Sequence, residues 1–132
     1  MNNIIRKNPA TMPAPVGEYS HVTIIPKNST LYTFSGQIGV DYEGNIPERH
    51  TQQVVNTFKN IERALKSEHL TAENIIKVNV WSVDAINWNH FYEVWSNFFD
   101  VNPSMTIAYI TSLGLPEIKI EIEIEILAAA PE

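Results

Sequence analysis

Residues 118–126 read Ile-Lys-Ile-Glu-Ile-Glu-Ile-Glu-Ile, and this alternation decides the fold. Side chains on a β-strand point alternately to its two faces, so the isoleucines point one way and the charged residues point the other way. The pattern therefore predicts a strand with one apolar face and one charged face. We expect the helices of the chain to cover the apolar face.

Two segments upstream have the spacing of helices that could cover such a face. Thr51 is a fair N-cap for the first, which ends near Glu68. Asn87 can cap the second, which Asn102-Pro103 ends. The apolar positions of the first are Val54, Phe58, Ile61 and Leu65, and those of the second are Trp88, Phe91, Tyr92, Trp95, Phe98 and Phe99. The aromatic spacing of the second helix predicts core residues rather than a cofactor site.

Further segments have the composition of strands. They are residues 19–25, 31–34, 74–81 and 105–110. The turn Pro26-Lys27-Asn28-Ser29 predicts that the first two form a hairpin. Ser35-Gly36-Gln37-Ile38-Gly39 closes the second, and its paired glycines suggest a bulge or backbone passing close to another part of the chain. The sum is an α+β fold, a two-layer sandwich in which a mixed sheet of about six strands carries two helices on one face.

Composition predicts one globular domain spanning residues 1–132. The chain has no cysteine, which excludes disulfides and zinc–sulfur sites. Residues 1–10 are no secretory segment and there is no long apolar run, so we expect a cytoplasmic protein that binds no membrane. The net charge of −6 and the lack of a basic cluster argue against nucleic acid as a partner.

The acidic stripe of the last strand is the first candidate site. In one interpretation Glu121, Glu123 and Glu125 lie on a solvated face that keeps the protein soluble. In the other, a second subunit covers this face, and one glutamate gains a raised pKa and acts as a general acid or base.

Other chemistry has little support in the sequence. His21, His50, His69 and His90 lack the spacing of metal ligands, so we expect no metal and no cofactor. The Ser35-Gly36-Gln37 segment is not a nucleophile elbow, and no phosphate-binding loop occurs.

With these landmarks, the chain resembles the Rid family, also called YjgF-like or reactive-intermediate deaminases. The stretches that carry the resemblance are Ala14-Pro15-Val16-Gly17-Glu18-Tyr19-Ser20, Tyr32-Thr33-Phe34-Ser35-Gly36-Gln37-Ile38, the helix at 52–65, Ile75-Ile76-Lys77-Val78-Asn79-Val80 and the closing strand. They span nearly the whole chain in the expected order.

The resemblance implies a chorismate-mutase-like fold and a homotrimer with small-molecule pockets at the subunit clefts. It also implies hydrolysis of reactive imines and enamines to keto acids and ammonia, without cofactor or metal. In that chemistry an arginine in a Pro-x-Arg-Ser/Thr motif binds the substrate carboxylate, and a glutamate on the last strand helps to activate water.

This chain departs from the family pattern at that arginine. The matching tetrapeptide is Pro103-Ser104-Met105-Thr106, so Met105 replaces it, and Tyr92 occupies a position that is often asparagine. The remaining pocket positions match as Tyr19, Ser35, Gly36 and Gln37. The glutamate aligns with Glu123, with Glu121 as the fallback. Arg49 and Lys119 are candidates to replace the arginine.

A buried arginine–carboxylate pair is directional and charge-assisted, and its loss typically costs about 2–5 kcal/mol. We therefore expect that this protein does not deaminate ordinary imino acids, and that its pocket accepts neutral, cationic or more apolar ligands. The alternatives are a deaminase with a changed substrate and a non-catalytic regulatory binding protein. The acidic charge argues against the family's other titles, ribonuclease and translation inhibitor.

Overall fold

The computed structural model describes residues 3–115 and 120–132. In chain order these form β1 (Ile5–Lys7), β2 (Val22–Ile24), β3 (Ser29–Thr33), β4 (Gln37–Ile38), α1 (His50–Ser67), β5 (Ile75–Ser82), α2 (Trp88–Phe98), β6 (Ser104–Tyr109) and β7 (Ile122–Pro131), with a short 3₁₀ turn at Ala72–Asn74 before β5. Among these residues no helix is both long and apolar enough to cross a bilayer.

One five-stranded mixed sheet organises the molecule, with β3, β7, β5 and β6 in that order. β3 and β4 pair antiparallel with successive parts of one edge of β7, and β5 pairs antiparallel with its other edge. β5 and β6 are parallel, and α2 provides the crossover that parallel neighbours need. The α+β class predicted from the sequence is confirmed.

The alternation of the last strand is as predicted. The isoleucines from Ile120 to Ile126 are at most 7% exposed, whereas the glutamates between them are half-buried. The strand itself begins at Ile122. Ile118 and Lys119, which the prediction included, lie outside the described residues.

The hydrophobic core lies between this apolar face and the two helices. Val54, Phe58 and Ile61 of α1 and Phe91 and Trp95 of α2 are at most 4% exposed. The ring of Phe58 packs against three aromatic rings of α2, with centroids 5.2–6.3 Å apart. Burial of a side chain of this size contributes roughly 1.5–3 kcal/mol, so the helices are held mainly by this interface.

The opposite side of the sheet, called the open face below, carries the other side chains of the central strands. They are Lys77, Asn79 and Trp81 of β5, Glu123, Glu125 and Leu127 of β7, and Thr106 and Ala108 of β6. Nδ2 of Asn79 donates a hydrogen bond to Oε1 of Glu125 at 2.9 Å. The face predicted to be charged is therefore mixed, because Trp81, Leu127 and Ala108 add apolar surface to it.

The predicted hairpin of residues 19–25 and 31–34 is wrong. β2 pairs with β1 in a separate two-stranded sheet, and β3 pairs with β7. Residues 5–7 form β1, which the sequence analysis did not anticipate, and they satisfy the backbone groups of β2. Arg6 holds β1 in place, since its Nη2 donates to the backbone oxygens of Glu73 and Ile75 at 2.6 and 2.8 Å.

The start of α1 also differs from the prediction. The helix begins at His50 with Arg49 as its N-cap, and no side chain caps it, so Thr51 lies inside the helix. The amide of Gln53 anchors the first turn instead, donating from Nε2 to the oxygen of Pro47 at 2.8 Å. The start of α2 is as predicted, because Oδ1 of Asn87 accepts from the backbone N–H of His90 at 3.2 Å.

Candidate functional site

A pocket of ≈ 660 Å³ lies at the outer edge of β6. It brings together three of the sequence-predicted ligand-binding residues, Tyr19, Tyr92 and Met105. The other lining residues are Val16, Gly17, Trp88, Thr106, Ile107 and Tyr109. All nine are uncharged, so this is a largely aromatic and apolar pocket.

Tyr19 reaches the pocket because its loop is fastened to the segment that precedes β6. The backbone N–H of Ser20 donates to the oxygen of Pro103 at 3.0 Å, and Oγ of Ser20 donates to the oxygen of Asn102 at 2.6 Å. Within the loop, the hydroxyl of Tyr19 accepts from the backbone N–H of Val16 at 3.3 Å. The tyrosine is thus fixed at both its backbone and its hydroxyl.

The first turns of α2 supply the aromatic wall. Trp88 and Tyr92 are one helical turn apart, and their ring centroids lie 5.4 Å from each other. The prediction of a purely core aromatic helix therefore needs a correction. Phe91 and Trp95 are fully buried, but Trp88 is 38% exposed and lines the pocket. The i, i+4 spacing of Trp88 and Tyr92 beside the core stripe is the signal that could have revealed a second aromatic face.

Met105 lies in the pocket lining and also packs against the core. It is the register partner of the buried Val78, so its side chain lies on the helix side of the sheet. A thioether there is polarisable but donates no hydrogen bond to a carboxylate. Arg49, a candidate to replace the missing arginine, is the exposed N-cap of α1 and is not part of the lining. Lys119, the other candidate, is outside the described residues.

The remaining predicted site residues form a second group, at β4 and the facing part of β7. Gln37 is the register partner of Ile124, and Ile38 is the partner of Glu123. Gly36 lies against the Glu123 side chain so closely that a Cβ at Gly36 would overlap its carboxylate and come within 2.7 Å of its Cγ. The expectation that the glycines of this segment mark a close approach is confirmed.

Glu123 and the fallback Glu121 have different surroundings. Among the described residues, the Glu123 carboxylate accepts no hydrogen bond and forms no ion pair, so it is open to a ligand or a neighbouring subunit. Glu121 precedes β7, and its backbone binds Gln53, Ser82 and Val83. Only Glu123 lies next to Gly36. Ser35 is exposed, and its backbone oxygen accepts from Nε2 of Gln37 at 3.1 Å.

A row of amides on α1 holds the Gly36 segment in place, and the sequence analysis missed it. Nδ2 of Asn56 donates to the oxygen of Gly39 at 3.1 Å. Nδ2 of Asn60 donates to the oxygens of Ile38 and Val40 at 3.0 and 2.8 Å. The signal was available, because polar residues 53, 56 and 60 repeat at helical spacing beside the apolar stripe. These residues position the segment and do not touch the pocket.

The two groups lie apart on a single chain. Met105 is on β6 and Glu123 is on β7, and β5 lies between those strands. Two strand spacings amount to roughly 10 Å. The pocket lining contains no residue of the Gly36–Glu123 group. One chain therefore supplies two partial sites.

A second cavity, of ≈ 490 Å³, lies near β1 and contains none of the predicted site residues. Arg6 lines it together with the acidic residues Glu73, Asp100 and Glu132. Burial lowers the pKa of the Arg6 guanidinium, and the charge of Glu73 opposes that shift. Because Nη2 of this guanidinium is bound to two backbone oxygens, its role in the fold is to anchor β1. In the part of the chain that the structure describes, no three His, Asp or Glu side chains are grouped as metal ligands.

Comparison with known proteins identifies the family. The model of the family described as endoribonuclease L-PSP matches residues 9–130. A RutC family protein from Aquifex aeolicus is 35% identical over 119 residues, which cover 88% of this chain and 91% of that protein. The human 2-iminobutanoate/2-iminopropanoate deaminase is 29% identical over 131 residues, covering 93% of this chain and 90% of the human protein.

Solved structures share the fold. A protein of unknown function of the Rid family from Yersinia pestis superposes with a TM-score of 0.81 at 20% identity, covering 96% of this chain and 98% of that chain. The E. coli protein TdcF, solved with bound serine, superposes with a TM-score of 0.67 at 24% identity, covering 97% and 98%. The match of the family model over residues 9–130 and the 35% identity with the Aquifex protein establish that the chain belongs to the Rid family, the family whose model is described as endoribonuclease L-PSP.

Proposed function

We propose that this protein is a homotrimer that binds a small metabolite, other than a simple imino acid, in pockets between its subunits. The observation that carries the proposal is the pocket at β6, which Met105 lines together with eight other described residues, all uncharged. A named relative, the human deaminase, acts on imino acids, and TdcF was solved with bound serine. Both support a small-molecule ligand for this fold.

The composition of the pocket disfavours an acidic ligand. A carboxylate moved from water into this pocket would lose hydration, and none of the described lining residues offers it a cation in return. The missing arginine–carboxylate pair corresponds to about 2–5 kcal/mol, or roughly thirty- to several-thousand-fold in affinity. The net charge of −6 adds a weak long-range repulsion of anions.

The separation of the two residue groups supports placing the complete site between subunits. The Met105 pocket is at one edge of the sheet, and the Gly36–Glu123 group is at the other side of β5. A neighbouring copy packed on the open face would bring its own Glu123 toward the pocket of the first copy. The apolar part of the open face, Trp81 and Leu127, gives such packing a driving force.

The test is turnover of imines generated in place by an amino-acid oxidase, with the human deaminase as the positive control. We expect keto-acid release by this protein at the uncatalysed rate, because the carboxylate is not bound. Turnover equal to that of the human deaminase would overturn the proposal.

Restoring the arginine of the family motif at position 105 gives a companion prediction. Met105→Arg should create binding of a keto acid such as pyruvate, which the unmodified chain should not bind, and calorimetry measures both. The gain should be at least roughly thirtyfold in affinity if the guanidinium enters the pocket. Val101→Arg is the control, because Val101 is an exposed apolar residue outside the lining of this pocket, and it should produce no gain. An unchanged trace for Met105→Arg would count against the role given to position 105.

A further inference from the structure

We infer that the Met105 pocket selects an organic cation, specifically a ligand with a methylated ammonium group. The inference rests on the proposed function and names the ligand class of the same pocket. It starts from the four aromatic rings among the nine lining residues: Tyr19, Trp88, Tyr92 and Tyr109.

Aromatic rings attract cations through the negative potential over their faces. The rings of Trp88 and Tyr92 pack against each other, with centroids 5.4 Å apart and an angle of 31° between their planes, and both line the pocket. Met105 and Ile107 complete the lining with apolar surface that suits methyl groups. A methylated ammonium combines the two properties, because its charge is spread over methyl groups that need no hydrogen-bond acceptor.

The walls are held in place before any ligand binds. The hydroxyl of Tyr19 accepts from the backbone of Val16, and the hydroxyl of Tyr109 accepts from the backbone N–H of Ile86 at 3.2 Å. The hydroxyl of Tyr92 lies close to Gly17, where a Cβ would come within 2.8 Å of it. Rings fixed in this way lose little freedom on binding, which favours affinity.

Charge separates a cation from a neutral ligand of the same shape. Among the described residues, the lining contains no Lys, Arg or His to repel a cation, and the chain carries a net charge of −6 that attracts one. A neutral apolar ligand would gain the same contact area but neither of these electrostatic contributions. The ratio of the affinity for a cation to the affinity for a neutral ligand of the same shape therefore tests the inference directly.

The experiment compares choline with 3,3-dimethylbutan-1-ol, its neutral isostere, by calorimetry and by the fluorescence of the tryptophans. We expect choline to bind roughly tenfold more tightly than the isostere, as several ring faces act together. Equal affinities, tighter binding of the isostere, or no detectable binding of choline would each overturn the cation inference.

Variants locate the binding. Trp88→Leu should weaken choline by roughly fivefold and leave the isostere nearly unchanged, because it removes a ring but keeps apolar surface. Tyr42→Leu is the matched control, since Tyr42 is an 84% exposed ring outside the pocket lining, with the guanidinium of Arg63 5.9 Å from its centroid. Met105→Arg should abolish choline binding by repulsion. Equal losses in Trp88→Leu and Tyr42→Leu would contradict the assignment.

The two proposals fail in different ways. Loss of the preference for choline would overturn the cation inference and leave the absence of imine turnover untouched. Imine turnover at the rate of the human deaminase would overturn the proposed function, whatever the titration with choline shows.

Discussion

At the scale of single residues, Gly36 and Gly39 show how closely their segment packs against its neighbours. Gly36 lies against the end of the flexible Glu123 side chain, whereas Gly39 lies against the backbone of α1, with Cα of Gln53 at 2.5 Å from the position of a Cβ. Among the described residues, no atom lies within 4 Å of the position of a Cβ at Gly114. The sequence predicted that the first two mark close approaches, but it could not say to what, because the contacts come from segments far along the chain.

Gly36→Ala should move the Glu123 carboxylate without unfolding the protein. The added methyl overlaps that side chain, which can rotate away over the open face, so we expect a loss of less than about 1 kcal/mol in the free energy of unfolding. A crystal structure of the variant measures the displacement, and urea unfolding measures the stability. Gly114→Ala is the control and should change neither. A Glu123 side chain that stays in place in Gly36→Ala would contradict the contact.

Gly39→Ala should be far more harmful, because the methyl meets backbone atoms of α1 that cannot move alone. The helix would have to shift together with the hydrogen bond from Asn56 to the oxygen of Gly39. Such overpacking typically costs about 1–3 kcal/mol, and the rigid neighbour places this variant at the upper end of that range. Urea denaturation against the unmodified chain and Gly114→Ala gives the comparison. Equal stability of Gly39→Ala and Gly114→Ala would show that α1 and the segment around Gly39 are not in tight contact.

At the scale of elements, periodicity predicted the helices and the inner strands correctly, whereas the turn residues at 26–29 predicted a hairpin that does not form. The helices, β5 and β6 agree with the prediction to within a few residues, because each has a clear apolar pattern, whereas β7 continues to Pro131, beyond the predicted end at Ile126. The hairpin prediction was wrong because a strand can pair with any segment of the chain that fits it, and β2 and β3 each pair with a distant segment. A three-residue strand near the N-terminus, Ile5–Lys7, pairs with β2, and such a short segment has no period to detect.

The contact between the start of α1 and the end of β5 predicts a pH dependence of stability. Oγ of Ser82 lies 2.9 Å from Nε2 of His50, and it donates its own proton to the oxygen of Asp84 at 2.6 Å. Burial lowers the pKa of His50, while the charge of Asp84 raises it and that of His90 lowers it by smaller amounts. In the unfolded chain the pKa of a histidine is about 6.5.

Since the folded pKa is the lower of the two, the unfolded state binds more protons between them, and stability falls as the pH drops below about 6.5. His50→Gln removes that titration, so its melting temperature should fall less than that of the unmodified chain between pH 7.5 and pH 5.5. His69→Asn is the control, because the exposed His69 has φ 58°, a conformation that asparagine tolerates. Parallel curves for the unmodified chain and His50→Gln would contradict the burial of this imidazole.

At the scale of the whole molecule, the sequence predicted the family and the α+β class, because the motifs that carry the resemblance run along nearly the whole chain. It could not predict how the site is divided. Tyr19, Tyr92 and Met105 meet in one pocket, and Gly36 meets Glu123 elsewhere, because β5 separates the two strands that carry them. That division depends on strand order, which the local pattern of each segment does not contain.

The open face leads to the prediction about assembly. Leu127 lies on this face between the strands that carry Lys77 and Thr33, and it is half-buried in the single chain. If three copies pack through this face, the side chain becomes fully buried, and a charge at its position would lose its hydration without a partner.

Leu127→Lys should therefore convert a trimer, three times 15.0 kDa in mass, into monomers, as measured by analytical ultracentrifugation, while circular dichroism shows that the chain still folds. Val101→Lys is the matched control, because Val101 is a 57% exposed apolar residue between α2 and β6, away from the open face. It should leave the assembly intact. An unmodified chain that sediments as a monomer, or a Leu127→Lys variant that stays trimeric, would show that the open face is not the surface through which the copies associate.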